Sequence, residues 1–359
     1  MPVLPLAPGA AIGIIGGGQL GRMLAQAAAR LGFDAIILEP EPESPASRVA
    51  AHTIVAAYDD PMALRTLADV ATIVTYEFEN VPVGAVEGLL ALGMEVAPGA
   101  RALAVAQDRV EEKSFLNAQG VATVAFAGAD TAREAFEAVA AVGAPALMKT
   151  RRDGYDGKGQ RWVEHAPDAA AAFEALGSVP VIVEAACEFT RELSIIAARG
   201  RDGSTAIYPL AENHHEHGIL RRSLAPARAD QALSDQAERI AARILAGLDY
   251  VGVIGIELFE MADGRLLVNE IAPRVHNTGH WTQDGCEVDQ FEQHIRAVAG
   301  WPLGPTQAIA QVEMLNLLGD EADAWAKYAA EPETRLHLYG KREAKPGRKM
   351  GHINRVRAL

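Results

Sequence analysis

The chain has 359 residues, 49% of them apolar, and a formal net charge of −14. That length and apolar content support a globular protein of about two to three domains with a sizeable core. The acidic balance argues against a general binder of nucleic acid or anionic membrane, and two distant cysteines, Cys187 and Cys286, exclude a disulfide framework or a zinc cluster.

No Lys or Arg precedes Arg22 and no apolar run approaches the length of a bilayer, so neither a signal peptide nor an anchor is expected and a reducing cytoplasm fits. Residues 11–15 read as a buried strand, 16–21 as a tight turn and 20–31 as a helix. Further strands are predicted at 35–38, 53–56, 72–75 and 95–97, with helices at 61–68 and 83–92. This alternation means a parallel, doubly wound sheet. Gly16-x-Gly18-x-x-Gly21 satisfies the dinucleotide fingerprint, and Glu39 follows eighteen residues after Gly21, where a ribose-binding acid would sit. An NAD(P)-dependent oxidoreductase is therefore one reading. Physically, however, the motif offers a helix N-terminus with exposed N–H groups, which takes any phosphate, or it is a tight turn without a ligand. At the carboxyl end of the 72–75 strand, Glu77, Glu79 and Asn80 suit hydroxyls or an amine, or form a solvated acidic loop.

Asp108 to Glu111 resembles a capping box opening a helix that runs to about residue 118 and ends at Gly120. Arg109 lies in its first turn, where a helix does not favour a cation for its own sake, so an anion is expected nearby. Residues 133–142 and 167–176 read as amphipathic packing helices. Between them a buried strand at 144–148 delivers Lys149, and a loop with Gly154, Gly157, Lys158, Gly159 and Gln160 follows. Glycine backbone and two lysines make a polyphosphate grip. No Ser or Thr follows Lys158, so it is not a P-loop; a basic hairpin tip is the plain alternative. Residues 113–183 then form a small α/β lid. A strand at 181–185 ends in Glu184-Ala185-Ala186-Cys187, an edge where adenine can read backbone groups, and Glu192 can accept ribose hydroxyls; a surface hairpin has the same pattern. His214, His215 and His217 lack the further ligands that a metal site needs.

Strands at 251–260 and 265–271 are joined by Asp263-Gly264, read as a two-residue type I′ turn. That register sets Ala262 opposite Arg265 and Glu257 opposite Glu270. Facing carboxylates repel, unless a divalent cation lies between them, as Mg²⁺ does when one or two carboxylates and substrate phosphates hold it. The other possibility is a bulge that sends one glutamate to solvent. Asn269 and a donor-rich run from Arg274 to Thr282 follow, and the last twenty residues carry seven Lys or Arg against one acid.

Five segments in this order resemble a known family: Gly-Gly-Gly-Gln-Leu-Gly-Arg-Met at 16–23, Tyr-Glu-Phe-Glu-Asn at 76–80, Gly-Tyr-Asp-Gly-Lys-Gly-Gln at 154–160, Asn-Glu-Ile-Ala-Pro-Arg-Val-His-Asn at 269–277 and Gly-Arg-Lys-Met-Gly-His at 347–352. Together they resemble the ATP-grasp ligases and, among these, the N5-carboxyaminoimidazole ribonucleotide synthetase family of purine biosynthesis. The resemblance implies a Rossmann-like pre-ATP-grasp domain at 1–107, an ATP-grasp domain at 108–302 and a small β-rich C-terminal domain at 303–359. It implies ATP-dependent carboxylation of 5-aminoimidazole ribonucleotide by bicarbonate through carboxyphosphate, in a cytoplasmic homodimer. For ATP it implies Arg109, Lys149, Gly154, Tyr155, Asp156, Gly157, Lys158, Gly159 and Gln160 at the phosphates, Glu184 to Cys187 at adenine, and Glu192, His215 and Asn269 beside them. Glu257 and Glu270 would hold Mg²⁺. Arg274, His276, Asn277 and Lys349 would meet bicarbonate and carboxyphosphate, with Tyr155 and Asp156 closing over the second substrate. Gly18, Gln19, Leu20, Glu77, Asn80, Lys341, Arg348, Lys349 and Arg355 would bind the ribonucleotide. This chain departs from the pattern in the histidines flanking His215 and in Ala185 and Ala186. A different ATP-grasp ligase, carboxylating or formate-using, and a non-catalytic nucleotide sensor are the remaining alternatives.

Overall fold

Four strands, Ala11–Ile15, Asp34–Leu38, His52–Ile54 and Ile73–Tyr76, form a parallel sheet in the order third, second, first, fourth. The chain therefore reverses its direction of winding between the first and fourth strands, and their carboxyl ends open a crevice there. The computed structural model describes residues 5–154 and 157–359. The predicted strand at 95–97 is reduced to one parallel bridge between Val74 and Val96. Ala97 donates to the Val74 carbonyl at 2.9 Å, but Pro98 follows and has no N–H with which to continue a ladder.

A second sheet of four antiparallel strands orders Phe126–Ala129, Val181–Ala185, Ala146–Thr150 and Gln160–Val163. Helices Ala132–Val142 and Ala169–Ala175 cover it, and Met148, Val163, Phe173 and Val181 fill the space between. Helix Arg109–Ala118 belongs elsewhere, because its Phe115 and Leu116 enter the central core.

The largest sheet has nine strands. Its path runs Leu266–Ala272, Gly252–Met261, Phe189–Arg199, Ala211–Glu216, Ile219–Ala225, Gln311–Leu318, Lys349–Arg357 and Thr334–Leu338, with Thr205–Ile207 also paired to Phe189–Arg199. The three C-terminal strands thus continue the central sheet. One apolar core joins Leu24 of helix Gln19–Arg30 to Trp281, Met314 and Tyr339, which locks the N-terminal sheet against the end of the chain.

The hairpin turn differs from its sequence reading. Met261 donates to the Arg265 carbonyl at 2.9 Å and Gly264 to Met261, so three residues, not two, make the loop. Gly264 alone takes positive φ, 80°, whereas a type I′ turn needs two such residues. The register near the loop is therefore one residue away from the expected one: Glu260 faces Leu266 and Leu258 faces Val268. A bulge at Asn269 then restores it, and Glu257 faces Glu270. Two shifts cancel, so the facing pair survives.

Candidate active site

A cavity of about 740 Å³ lies where the three sheets meet. The N-terminal sheet contributes Gln19, Leu20, Glu77, Glu79 and Asn80. The small antiparallel body contributes Lys149, Gly154, Gly157, Lys158, Gly159 and Gln160. Arg109 enters from its helix, and Glu192, His215, Glu257, Asn269, Glu270, Arg274, His276, Asn277 and Lys349 come from the large sheet and its loops. Tyr155 and Asp156, predicted to close over a substrate, lie outside the described residues.

Glu257 and Glu270 face each other across the hairpin. Burial and then the Glu270 charge push the Glu257 carboxyl up. Burial would raise Glu270 too, but Arg109 and Lys149 outweigh it and hold it down; the Arg109 guanidinium donates to its Oε2 at 3.1 Å. Among the described residues Glu257 has only weak partners, Asn269 Nδ2 at 3.5 Å and His276 Nε2 at 3.8 Å. Among the described residues no three His, Cys, Asp or Glu side chains are grouped to hold a metal by themselves. Two hard oxygen ligands opening on a cationic cavity fit Mg²⁺ that takes its other ligands from phosphates and water.

The cationic wall is braced from behind. Lys149 Nζ lies 2.6 Å from Glu184 Oε2, and Lys113 Nζ lies 3.3 Å from Glu184 Oε1. Arg274 pairs with Glu79 from the N-terminal sheet and also donates to the Val275 carbonyl at 3.1 Å. His276 is held to about 3 by burial and then by Arg274, so it is neutral at physiological pH and its Nδ1 meets Thr278 Oγ1 at 2.9 Å. Asn277 exchanges side-chain hydrogen bonds with Asn316 at 3.0 and 2.7 Å. His215 Nδ1 pairs with Glu192; burial works against the proton, but Glu192 and Glu257 prevail and its pKa rises.

The glycine turn spends three of its donors on carboxylates of its own chain. Gly18 N–H and Gly21 N–H donate to the two oxygens of Glu77, and Gly17 N–H donates to Glu39 Oε2 at 2.6 Å. Glu39 also accepts from Tyr58 Oη at 2.8 Å. The anion at this helix N-terminus is supplied by the chain itself, which removes the pyrophosphate cradle and the ribose acid on which the NAD(P) reading rested. A Cβ on Gly18 would lie 2.6 Å from Glu77 Oε1, so the glycines make room for a carboxylate of this protein.

Several predicted residues do not reach the cavity wall. Glu184 is turned to its lysines, Ala185 pairs in the small sheet with Ala146, and Ala186 N–H donates to the Pro145 carbonyl at 3.3 Å. Cys187 Sγ packs 3.6 Å from Met261 Sδ. Gly18 stands behind Glu77. In the basic tail Lys341 Nζ donates to the Lys349 carbonyl at 2.8 Å, Arg348 to the Glu343 carbonyl at 3.1 Å, and Arg355 pairs with Glu313 and Glu331 at 3.6 and 3.5 Å. Only Lys349 of these tail residues lines the cavity. Sequence reasoning missed Glu112, Phe259 and Tyr339, which also line it, whereas His280 lies within the donor-rich run it named. Glu112 was open to detection, because it falls one helical turn after Arg109.

A two-strand carboxylate pair, a glycine-lysine loop on a small antiparallel body and a preceding parallel domain define an ATP-grasp protein. Three families match the chain: a ribonucleotide synthetase preATP-grasp domain over residues 10–107, an ATP-grasp domain over 114–291 and a phosphoribosylaminoimidazole carboxylase C-terminal domain over 313–358. The N5-carboxyaminoimidazole ribonucleotide synthase of Brucella melitensis is 50% identical over 354 residues, 98% of each chain. A solved N5-carboxyaminoimidazole ribonucleotide synthetase in complex with ADP superposes with a TM-score of 0.94 at 40% identity, covering 98% of this chain and 93% of that one. An Aspergillus clavatus N5-carboxyaminoimidazole synthase in complex with ADP and 5-aminoimidazole ribonucleotide gives 0.91 at 31% identity, covering 98% and 94%. This chain belongs to the N5-carboxyaminoimidazole ribonucleotide synthase family.

Proposed function

We propose that the chain joins bicarbonate to the amine of 5-aminoimidazole ribonucleotide with ATP, giving N5-carboxyaminoimidazole ribonucleotide, ADP and phosphate. The observation that carries this reading is one cavity lined by Arg109, Lys149 and the Glu257–Glu270 pair and also by Gln19, Glu77 and Lys349. The first group suits a triphosphate and the second a small phosphorylated nucleotide. Bicarbonate is a poor electrophile, so its oxygen first attacks the γ-phosphorus. Carboxyphosphate forms, ADP leaves, and the amine then attacks the activated carboxyl carbon and expels phosphate. Lys149, Lys158 and Arg109 bind the phosphates and hold the γ-phosphoryl in line. Glu257 and Glu270 would hold Mg²⁺, whose charge offsets that of the transferring group. Phe259 and Ile271 supply an apolar wall for the base, and Glu192, paired with His215, faces the ribose. Arg274, Asn277 and Lys349 hold bicarbonate and the mixed anhydride; His276, kept neutral, adds a donor or acceptor without adding charge.

The test is ADP release measured with each substrate withheld in turn. Release that needs both bicarbonate and 5-aminoimidazole ribonucleotide supports the reading. Full turnover with formate in place of bicarbonate, or with an unrelated amine, defeats it. A cytoplasmic homodimer is part of the same proposal, and sedimentation equilibrium tests the dimer. Among the described residues, no helix is long and apolar enough to cross a membrane.

A further inference from the structure

Strand Leu266–Ala272 lies at the end of the large sheet, so among the described residues one side of its backbone has no neighbouring strand, and the bulge at Asn269 removes a further residue from the ladder. Backbone groups at such a place must find other partners. Two adjacent side chains of helix Arg109–Ala118 provide them. Glu112 Oε1 accepts from Ile271 N–H at 2.6 Å, and Lys113 Nζ donates to the Asn269 carbonyl at 2.9 Å. These bonds fall on the two residues that flank Glu270, and Arg109, one turn earlier on the same helix face, donates to the Glu270 carboxylate at 3.1 Å.

Glu112 and Lys113 are 2% and 0% exposed. Such residues are almost never fully buried unless paired. Lys113 is also 3.3 Å from Glu184, whose other oxygen meets Lys149 at 2.6 Å. The helix start is fixed in turn to the strand that carries Lys149: Arg109 N–H donates to the Arg151 carbonyl at 3.0 Å, and Arg151 pairs with the capping Asp108 at 2.8 Å.

We propose that Glu112 and Lys113 are positioning residues that grip the backbone on either side of Glu270 and, through Glu184, fix the distance between that carboxylate and Lys149. The triphosphate-binding cation and the metal-binding carboxylate are then set by one helix. This rests on the reading of Glu257 and Glu270 as metal ligands. Neither Glu112 nor Lys113 is assigned contact with the reacting atoms; they act through Glu270.

The full chain is titrated with Mn²⁺ in the presence of ADP, bound metal being read by electron paramagnetic resonance, and ADP affinity is measured separately in chelator. Glu112→Ala and Lys113→Met are expected to weaken Mn²⁺ binding about 10- to 100-fold, the range for residues that orient metal ligands. Divalent-free ADP affinity should stay at the parent value. In turnover kcat should fall while KM for ATP changes little. Glu112→Gln keeps an oxygen for Ile271 N–H and should restore Mn²⁺ affinity, and deuterium exchange of residues 266–272 should quicken in Glu112→Ala but not in Glu112→Gln. Variants that melt like the parent and bind Mn²⁺ with its affinity overturn the proposal. Should Lys113→Met fail to fold, the two Glu112 variants decide alone. Glu270→Ala is the control: if it keeps parent Mn²⁺ affinity, the metal reading itself is wrong, whereas its loss beside unaffected Glu112 variants condemns only the positioning role.

Discussion

Two acidic pairs stand under opposite conditions. In the N-terminal sheet, Glu77 receives N–H groups from Gly18 and Gly21, and Glu39 receives those of Gly17 and Glu41. In the hairpin, Glu257 and Glu270 face each other, and among the described residues Glu257 has no hydrogen-bond or ion-pair partner closer than 3.5 Å. The first pair closes a turn with donors from its own chain. The second leaves negative charge directed at open space beside Arg109 and Lys149. A carboxylate that the backbone already satisfies is part of the scaffold, even within a glycine motif associated with ligands. One that faces its own kind marks where a cation belongs.

Breaking each pair should separate these roles. Glu257→Gln and Glu270→Gln are expected to lower ADP release about 10²- to 10³-fold, the scale of losing one preorganised partner of transition-state charge. Glu257→Gln should raise the melting temperature by removing a buried like-charge contact, whereas Glu270→Gln should lower it, because Arg109 and Lys149 lose the carboxylate that they hold ionised. Next in size, Gly21→Ala acts on the other pair. Its Cβ would lie 2.5 Å from the Gly16 carbonyl and 3.1 Å from Glu77 Oε2, and the expected cost is about 1 to 3 kcal/mol in urea unfolding. Activity lost at Glu257 without stability, and stability lost at the glycine turn, is the pattern that keeps the comparison. Its reversal would end it.

The parallel sheet, the lid hairpins and the facing glutamates were readable because each depends on local pattern: alternating apolar strands, loop glycines, and a count from a turn. The count itself was right only because two errors cancelled. Nothing local marks Asn269 as a bulge, since its stabilising partner Lys113 lies 156 residues earlier in sequence. The capture of the glycine turn by Glu77 was equally hidden. Gly21 and Glu77 are separated by 56 residues and meet only because the first and fourth strands are neighbours. Charge in the tail was read as substrate binding, yet Arg355 is neutralised by Glu313 and Glu331 from strands and turns whose pairing the sequence does not display.

A smaller effect distinguishes the pairs by pH. Burial pushes Glu77 up to about 7 despite the two glycine amides. An acid whose folded pKa exceeds its unfolded value favours the folded state while protonated. Its contribution is therefore complete below about pH 4.5 and fades as pH rises to about 7, a loss of up to about 3 kcal/mol. Glu112, raised to about 8, slopes the same way, so the informative quantity is a difference. Stability of the parent minus that of Glu77→Gln, measured by urea midpoints between pH 5 and pH 8, should fall across this window. A flat difference would mean that the two amides, and not burial, decide the charge of Glu77.

The least effect is expected at the hairpin tip, where it sharpens the comparison most. Gly264 has φ 80°, and a Cβ there meets no atom within 4 Å, so Gly264→Ala costs only the left-handed backbone penalty, about 1 to 2 kcal/mol. If the tip set the register of the carboxylates, straining it would also reduce ADP release. The bulge and the bond to Asn269 lie between the tip and Glu270, however, and with the bond to Ile271 just beyond it they fix the strand against helix Arg109–Ala118 independently of the loop. Gly264→Ala should therefore lose stability and keep kcat. A fall in kcat matching that of Glu112→Ala would place control of the carboxylate pair in the turn, where sequence counting had first put it.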